Sequence, residues 1–544
     1  MGKGVLRIVA LAGLAVLALA CSSAQPSTGG GGATSGPKQG GILNEPATDD
    51  PFDYDMTYTG SSNTNPYIIK RAYDSLLTFK VGPDIAYSDA VVGPNLAEKW
   101  EVSSDVKTYT FHLRKGVKWA NMPPLNGREL TAEDIKWTYE YVSRTGQFKD
   151  MKLPVSRYDF FFEGMESMTV TGPQTLVVKF KEGFAPFLNY VASTDNPIMP
   201  HEIFDKDKHF KDMIVGSGPF QLDTANSQKG AKVVLKKNPT YFLEGKPMLD
   251  GINLIVMKEE STRQAAFRAK QVDAYIGTRD PSVTDDIKKV VPGSVVLDFT
   301  STPSIIAPNF KRAPFDKLAV RQAVSLALDR DELIKAVAGG QGKWALAFSN
   351  VRDDLYTQEQ IKAFVKYDQT AAKKLLTDAG LANGFSAEMI YSADGDDTFL
   401  TAAQLIQAQL KKVGISINLK PLDATTMTQR RRAFDCDICF LSEAARADLD
   451  GQLFLAAKTG GPSNYNQIAD PKADAMIVAQ RQEGDPAKRT QILKDVLKHL
   501  NESGDAVATW RVTLTILTQP YVKNFYINAD TRNQGWLNDT WLDK

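Results

Sequence analysis

In the stretch TFLTAAQLIQAQLKKVGISINLK, residues 398 to 420, an amphipathic helical repeat runs to a glycine at 414 and then changes to alternation of apolar and polar residues. A helix that feeds directly into a strand has to bury its apolar stripe on the sheet that strand joins, and such units build layered α/β lobes. The change of period recurs along the chain. KTYTFHLRKGVKW (107 to 119) alternates Tyr109, Phe111 and Leu113 with polar neighbours, as a half-buried strand does, and Gly116 marks a turn or bulge. TAEDIKWTYEYVSRTG (131 to 146) opens on Thr131 with Asp134 three residues on, a capping-box spacing. Ile135, Thr138, Tyr139 and Val142 then share one face of a helix ending near Gly146. PFDKLAVRQAVSLALDRDELIKAVAGG (314 to 340) predicts one helix carrying Val320, Ala323, Val324, Ala327 and Leu328. A second is restarted by Asp329 and Glu332 and closed by Gly339 and Gly340.

What holds these units together is narrowed by the cysteines, of which 544 residues contain 3. Cys21 follows a positive stub (Lys3, Arg7), an apolar run from Ile8 to Ala20 and the small residues Ala18-Leu19-Ala20. That is the layout of a secretory signal peptide over residues 1 to 20. A cysteine at that place resembles the lipobox of bacterial lipoproteins, which implies a diacylglyceryl anchor on Cys21; plain secretion is the alternative. SSAQPSTGGGGATSGPK (22 to 38) has no apolar pattern and reads as a flexible tether. The protein is then extracytoplasmic, attached to a bacterial membrane through that lipid. Cys436 and Cys439, in FDCDICF (434 to 440), lie in a run with Phe434, Ile438, Phe440 and Leu441 that reads as a buried strand. Residues three apart on a strand point to opposite faces, so the pair is expected to pack, and no disulfide framework is expected.

Charge and motifs exclude several functions. Lys plus Arg and Asp plus Glu both number 64, so no net field favours nucleic acid. The 4 histidines form no H-E-x-x-H arrangement, and HEIFDKDKH (201 to 209) reads as a polar helix face rather than a metal site. IVGSGPF (214 to 220) lacks the upstream glycine of a nucleophile elbow and reads as a corner before a strand. No Gly-Lys pair is followed by Ser or Thr, so there is no phosphate-cradling P-loop. The aromatic residues are scattered; most are expected in cores and a minority along a cleft.

PNLAEKWEVSSDVKTYTFHLRKGVKW (94 to 119) followed by NGRELTAEDIKWTYE (126 to 140) resembles the bacterial extracellular solute-binding proteins of family 5, the dipeptide, oligopeptide and nickel receptors of ABC importers. GSGPFQL (216 to 222), LKKNPTYFLEGKPMLDGI (235 to 252), VDAYIG (272 to 277), NFKRAPFDKLAVRQAVSLALDRDELI (309 to 334), AAKKLLTDAG (371 to 380) and SNYNQIADPKADAMI (463 to 477) continue the resemblance in order, so that it covers about residues 39 to 540. It implies a two-lobed, periplasmic-binding-protein-like α/β fold with an extra subdomain inserted in the first lobe. The first lobe is expected from residues 39–77, 206–304 and 513–544, the insertion from 78–205 and the second lobe from 305–512. It further implies a monomer without catalytic activity, metal or cofactor, which encloses a small solute or peptide between its lobes and hands it to permease subunits. An exported α/β hydrolase with catalytic residues far apart in sequence is the alternative.

Peptide receptors of this family hold the peptide amine with a Gly-Trp segment and an aspartate soon after the strand at 434 to 440. Here Leu441 stands for the tryptophan and Ala444 for the aspartate, with Glu443 one place earlier and Asp448 four later. The carry-over nominates Glu443 as the charged anchor ahead of Asp448. It adds Asn63 and Asn65 from the early loop, Ser217 and Gly218 from the turn, and Tyr465 as an aromatic wall.

Overall fold

The computed structural model describes residues 36–48, 54–55, 65–211, 213–278, 281–352, 354–393, 398–446, 448–505, 507–528, 530 and 537–544. The helix expected after Thr131 spans Ala132–Ser143, and the Asp134 carboxylate accepts the Thr131 N–H at 2.9 Å, the reciprocal half of a capping box. Its four apolar-face residues, Ile135, Thr138, Tyr139 and Val142, are all buried. Strand Thr108–Leu113 lies between Ala97–Val102 and Thr175–Phe180 in a four-stranded antiparallel sheet completed by Met165–Gly172. Tyr109, Phe111 and Leu113 alternate inward along it. This sheet forms the centre of the region between the early chain and residue 205.

Strand Ile42–Ala47 pairs in parallel with Gly251–Val256, which continues antiparallel through Lys232–Lys237 to Phe220–Leu222. In the later chain a five-stranded sheet runs in the order Ile415–Leu422, Phe385–Ser392, Ile438–Ser442, Ser304–Pro308, Val507–Ala508. The helix Thr398–Lys411 supplies the parallel crossover between the first two. Gly414, at φ +96°, makes the turn out of that helix, and a Cβ on Gly384 would lie 2.0 Å from its carbonyl oxygen, so this tight pass requires glycine. The two helices expected over 314 to 340 are Leu318–Leu326 and Arg330–Ala338; the Asp329 carboxylate caps the second through the Glu332 N–H at 3.0 Å. Arg330 is fully buried, yet its guanidinium donates to the carbonyls of Ala508, Ser325, Leu328 and Val365, which satisfies it without a counter-carboxylate.

Two large hydrophobic cores result. One gathers residues from Leu43 to Phe299 with Ile516, Val522 and Leu542, and the other runs from Ile305 to Val512. Strand Trp510–Thr518 joins them. Its first three residues pair with Gly342–Trp344 beside the second core, while Thr513 to Thr518 pair with Val295–Thr300 beside the first.

The sulfur pair departs from expectation. The strand begins only at Ile438; Phe434, at φ +54°, turns the chain just before it, so the two-residue alternation does not reach back to Cys436. Cys436 and Cys439 come within 6.0 Å of each other at Cα and are joined by a disulfide, with both residues buried. Among the described residues no helix is long and apolar enough to cross a membrane.

Candidate functional site: the cleft between the lobes

The loop 346–351 borders the cleft, and its shape depends on groups distant in sequence. Phe348 and Asn350 both adopt positive φ, +64° and +52°, a conformation that costs a side-chain-bearing residue about 1–2 kcal/mol. Compensation comes from three sides. Asn501 accepts the Ala347 N–H at 2.9 Å, the Glu443 carboxylate accepts the Phe348 N–H, and Asn350 exchanges hydrogen bonds with the backbone of Arg446 at 2.8 and 3.2 Å. Val351 is thereby placed at the junction of two chambers.

The first chamber, about 180 Å³, is walled by Tyr87 and Phe299 from the first core, by Leu514, which packs against both, and by Phe399, Trp510 and Val512 from the second. The other, about 290 Å³, faces Asp89, Asn189 and Asp530 on the first-lobe side and Arg352, Arg446, Asp448 and Arg489 on the second. Val351 borders both.

Asp448 lines the charged chamber, but its carboxylate is already engaged. It caps helix Leu449–Ala456 through the Asp450 N–H at 2.8 Å, accepts both Nη atoms of Arg489 at 2.6 and 3.0 Å, and takes the Asn189 amide from across the cleft. Burial alone raises the pKa of this carboxyl; the Arg489 charge and the converging donors outweigh it and hold the group below the usual range. Beside it, Asp450 is fully buried, receives Arg481 at 2.7 and 2.9 Å, and accepts the hydroxyl of Tyr190 from the first core.

Glu443 is placed differently from expectation. It is 5% exposed and lines neither chamber, because its carboxylate is turned to the Phe348 N–H behind the cleft wall. Burial pushes its pKa up to about 8, against the lowering effects of the Phe348 N–H and the Arg511 charge. Its role is to hold the loop 346–351. Ser217 and Gly218 also serve the scaffold. The Ser217 hydroxyl donates to Asp74 at 3.0 Å, and the Gly218 N–H to the Ala72 carbonyl at 2.9 Å. A Cβ on Gly216 would lie 1.8 Å from that carbonyl oxygen, so the Gly-Ser-Gly corner is a close approach of two backbones. Tyr465 packs at the edge of the second core with Arg431 4.9 Å above its ring, away from both chambers. Asn65 starts helix Asn65–Ala72, while Asn63 and Cys21 lie outside the described residues. No sequence pattern marks the aromatics that line these chambers. The only available signal was that some of the scattered rings should line a cleft, and no local pattern separates Phe399 or Trp510 from core rings.

Residues 91–466 match the model of the bacterial extracellular solute-binding proteins, family 5. The chain is 27% identical over 482 residues to the dipeptide-binding protein of Escherichia coli K12, covering 84% of this chain and 86% of that one. It superimposes on the periplasmic binding protein DppA from Helicobacter pylori in complex with the peptide STSA at a TM-score of 0.75 and 21% identity, covering 93% and 99% of the two chains. NikA from Brucella suis, in complex with Fe(III)-EDTA, gives 0.73 at 23% identity, covering 90% and 97%. The chain belongs to the bacterial extracellular solute-binding proteins of family 5. Its task is therefore to bind a solute for an ABC importer rather than to catalyse a reaction, which removes the hydrolase alternative.

Proposed function

We propose that this family 5 receptor encloses a peptide, or a solute of similar zwitterionic character, between its lobes and presents the closed form to permease subunits as a monomer. The observation that carries the reading is the charged chamber, where Asp89 and Asp530, the latter also accepting from Ser193 and Thr194, face Arg446 and the ion pairs Arg352–Asp354 and Arg489–Asp448. A ligand bearing both an ammonium and a carboxylate meets complementary charge at each end, and charge-assisted hydrogen bonds in a closed cleft are the strong ones. The dipeptide-binding relative supports the peptide class. Because Ala444 replaces the family's anchoring aspartate, Glu443 is committed to Phe348 and the Asp530 carboxylate already accepts from Ser193 and Thr194, the amine is assigned to Asp89. Asn63 and Asn65 remain nominated as ligand contacts on the family resemblance alone.

The lobe division at 39–77, 78–205, 206–304, 305–512 and 513–544 belongs to the same proposal. The change of partners along strand Trp510–Thr518 at residues 512 and 513 supports its last boundary. A membrane tether through diacylglyceryl-Cys21, reaching through the Gly/Ser segment, is also part of the proposal; the expected outcome is a lipid mass on Cys21 in protein from its native host.

The test is native mass spectrometry of freshly purified protein, followed by titration of free di- and tripeptides with small-angle scattering. Binding should raise the melting temperature and reduce the radius of gyration, and the peptide should be recovered unchanged. A ligand at about 100 times its Kd stabilises by about 2.7 kcal/mol. A radius that no solute alters would overturn the closing-receptor reading, and charged-end peptides binding no better than their acetylated amides would overturn the zwitterion.

A further inference from the structure

The cleft is divided in its chemistry as well as its shape. Beside the charged chamber, the described lining of the chamber walled by Tyr87, Phe299, Phe399 and Trp510 includes no charged side chain. Its hydroxyl-bearing residues offer little to a polar guest, because they are engaged locally. Thr302 Oγ1 donates to the Glu443 carbonyl at 2.7 Å, Ser301 Oγ accepts the Val512 N–H at 3.0 Å, and the Ser304 and Ser442 hydroxyls lie 3.4 Å apart. A polar group moved there from water loses hydrogen bonds and regains few, whereas an apolar group loses none.

The walls are also held in place. Tyr87 packs against Phe299 at 4.9 Å between ring centroids, and Phe440 backs both Phe399, at 5.0 Å, and Trp510, at 5.9 Å. Rings supported by other rings present a preformed apolar surface, and a preformed pocket binds without first spending free energy on ordering itself. The walls come from both lobes, so a group seated here is buried only when the lobes are together.

We propose that this chamber is a specificity pocket for an aromatic or branched aliphatic group, and that the receptor selects amphiphilic solutes whose ionic ends occupy the neighbouring charged chamber across Val351. The inference rests on the interlobe cleft being the ligand site. It adds a preference that a zwitterion receptor as such does not require.

The test uses the full chain and isothermal titration with the dipeptides Ala-Ala, Ala-Leu, Ala-Phe, Ala-Asp and Ala-Lys. Ala-Phe or Ala-Leu is expected to bind at least tenfold more tightly than Ala-Ala, and Ala-Asp more weakly. Phe399→Ser should abolish the preference, so that Ala-Phe and Ala-Leu bind the variant within about threefold of Ala-Ala. Tyr87→Ser, on the opposite lobe, provides the same readout should Phe399→Ser fail to fold. Equal affinities across the set, or Ala-Asp as the tightest ligand, would overturn the pocket while leaving the peptide assignment standing. Absence of binding by all five would overturn the peptide assignment, and the pocket is then judged with 3-phenylpropanoate against propanoate. A melting shift with the aromatic acid that Phe399→Ser removes supports the pocket, and no difference between the two acids overturns it.

Discussion

Glu443 and Asp448 are carboxylates five residues apart, both buried at the same side of the second lobe, and their surroundings drive them in opposite directions. Glu443 accepts the Phe348 N–H, and burial dominates, so its pKa rises to about 8. Asp448 is clamped by both Nη atoms of Arg489 and by donors from Asn189 and Asp450, and it stays ionised below the usual range. Burial by itself therefore says nothing about charge; the cation and the donors a tertiary fold brings up decide it. The contrast is also one of purpose. Glu443 organises the loop 346–351 beside its own core, whereas Asp448 and its neighbour Asp450 reach the first core's side through Asn189 and Tyr190.

The largest effect is expected where a buried cation loses its partner. Asp450→Ala leaves the Arg481 guanidinium without the carboxylate that receives two of its N–H groups, and breaking such a pair costs about 3–5 kcal/mol. Denaturant unfolding measures it. Glu443→Gln, by contrast, replaces a group already mostly protonated at pH 7 and should fall within about 1 kcal/mol of wild type. If the two variants cost the same, the distinction between the paired and the unpaired carboxylate is broken.

Next comes the dependence on pH. The folded state holds a proton on Glu443 more tightly than the unfolded chain does, so this group's stabilising contribution is complete at or below the ordinary glutamate pKa. It is lost as pH rises toward about 8. Asp448 has the opposite sign: its contribution is present above the ordinary aspartate pKa and disappears as acid protonates it. Difference curves of melting temperature against pH are expected to show a falling neutral limb that Glu443→Gln flattens and an acid limb that Asp448→Asn weakens. A Glu443→Gln curve parallel to wild type between pH 5 and 8 contradicts the assignment of that limb.

The smallest expected effect sharpens the question of reach. Tyr190→Phe removes one hydrogen bond to Asp450 while Arg481 remains, a loss of about 1–2 kcal/mol. Because that bond links Tyr190 of the first core to helix Leu449–Ala456 beside the second, the loss should shift the ligand-free protein toward the open form and enlarge its radius of gyration in scattering. An unchanged radius with unchanged ligand affinity would mean that the Tyr190 contact has no part in closure.

Much of the scaffold is legible in short windows. The Thr131-Asp134 cap, the inward alternation of Tyr109, Phe111 and Leu113, the restart at Asp329 and the stop at Gly414 are set by interactions within a few residues, and the structure has each of them. The ordered motifs likewise carry the family. The disulfide was not legible, because a turn at Phe434 displaces Cys436 from the strand that holds Cys439. Nor was the orientation of Glu443, which depends on a loop 95 positions away in sequence. Asn189 lies 259 positions from Asp448, and the aromatic chamber draws Tyr87, Phe299, Phe399 and Trp510 from four separate parts of the chain. Periodicity and capping act along a turn or a strand, so sequence alone determined the elements and the family. Which carboxylate is paired, which is shielded and which rings face the cleft are long-range contacts, and only the packing of one lobe against the other decided them.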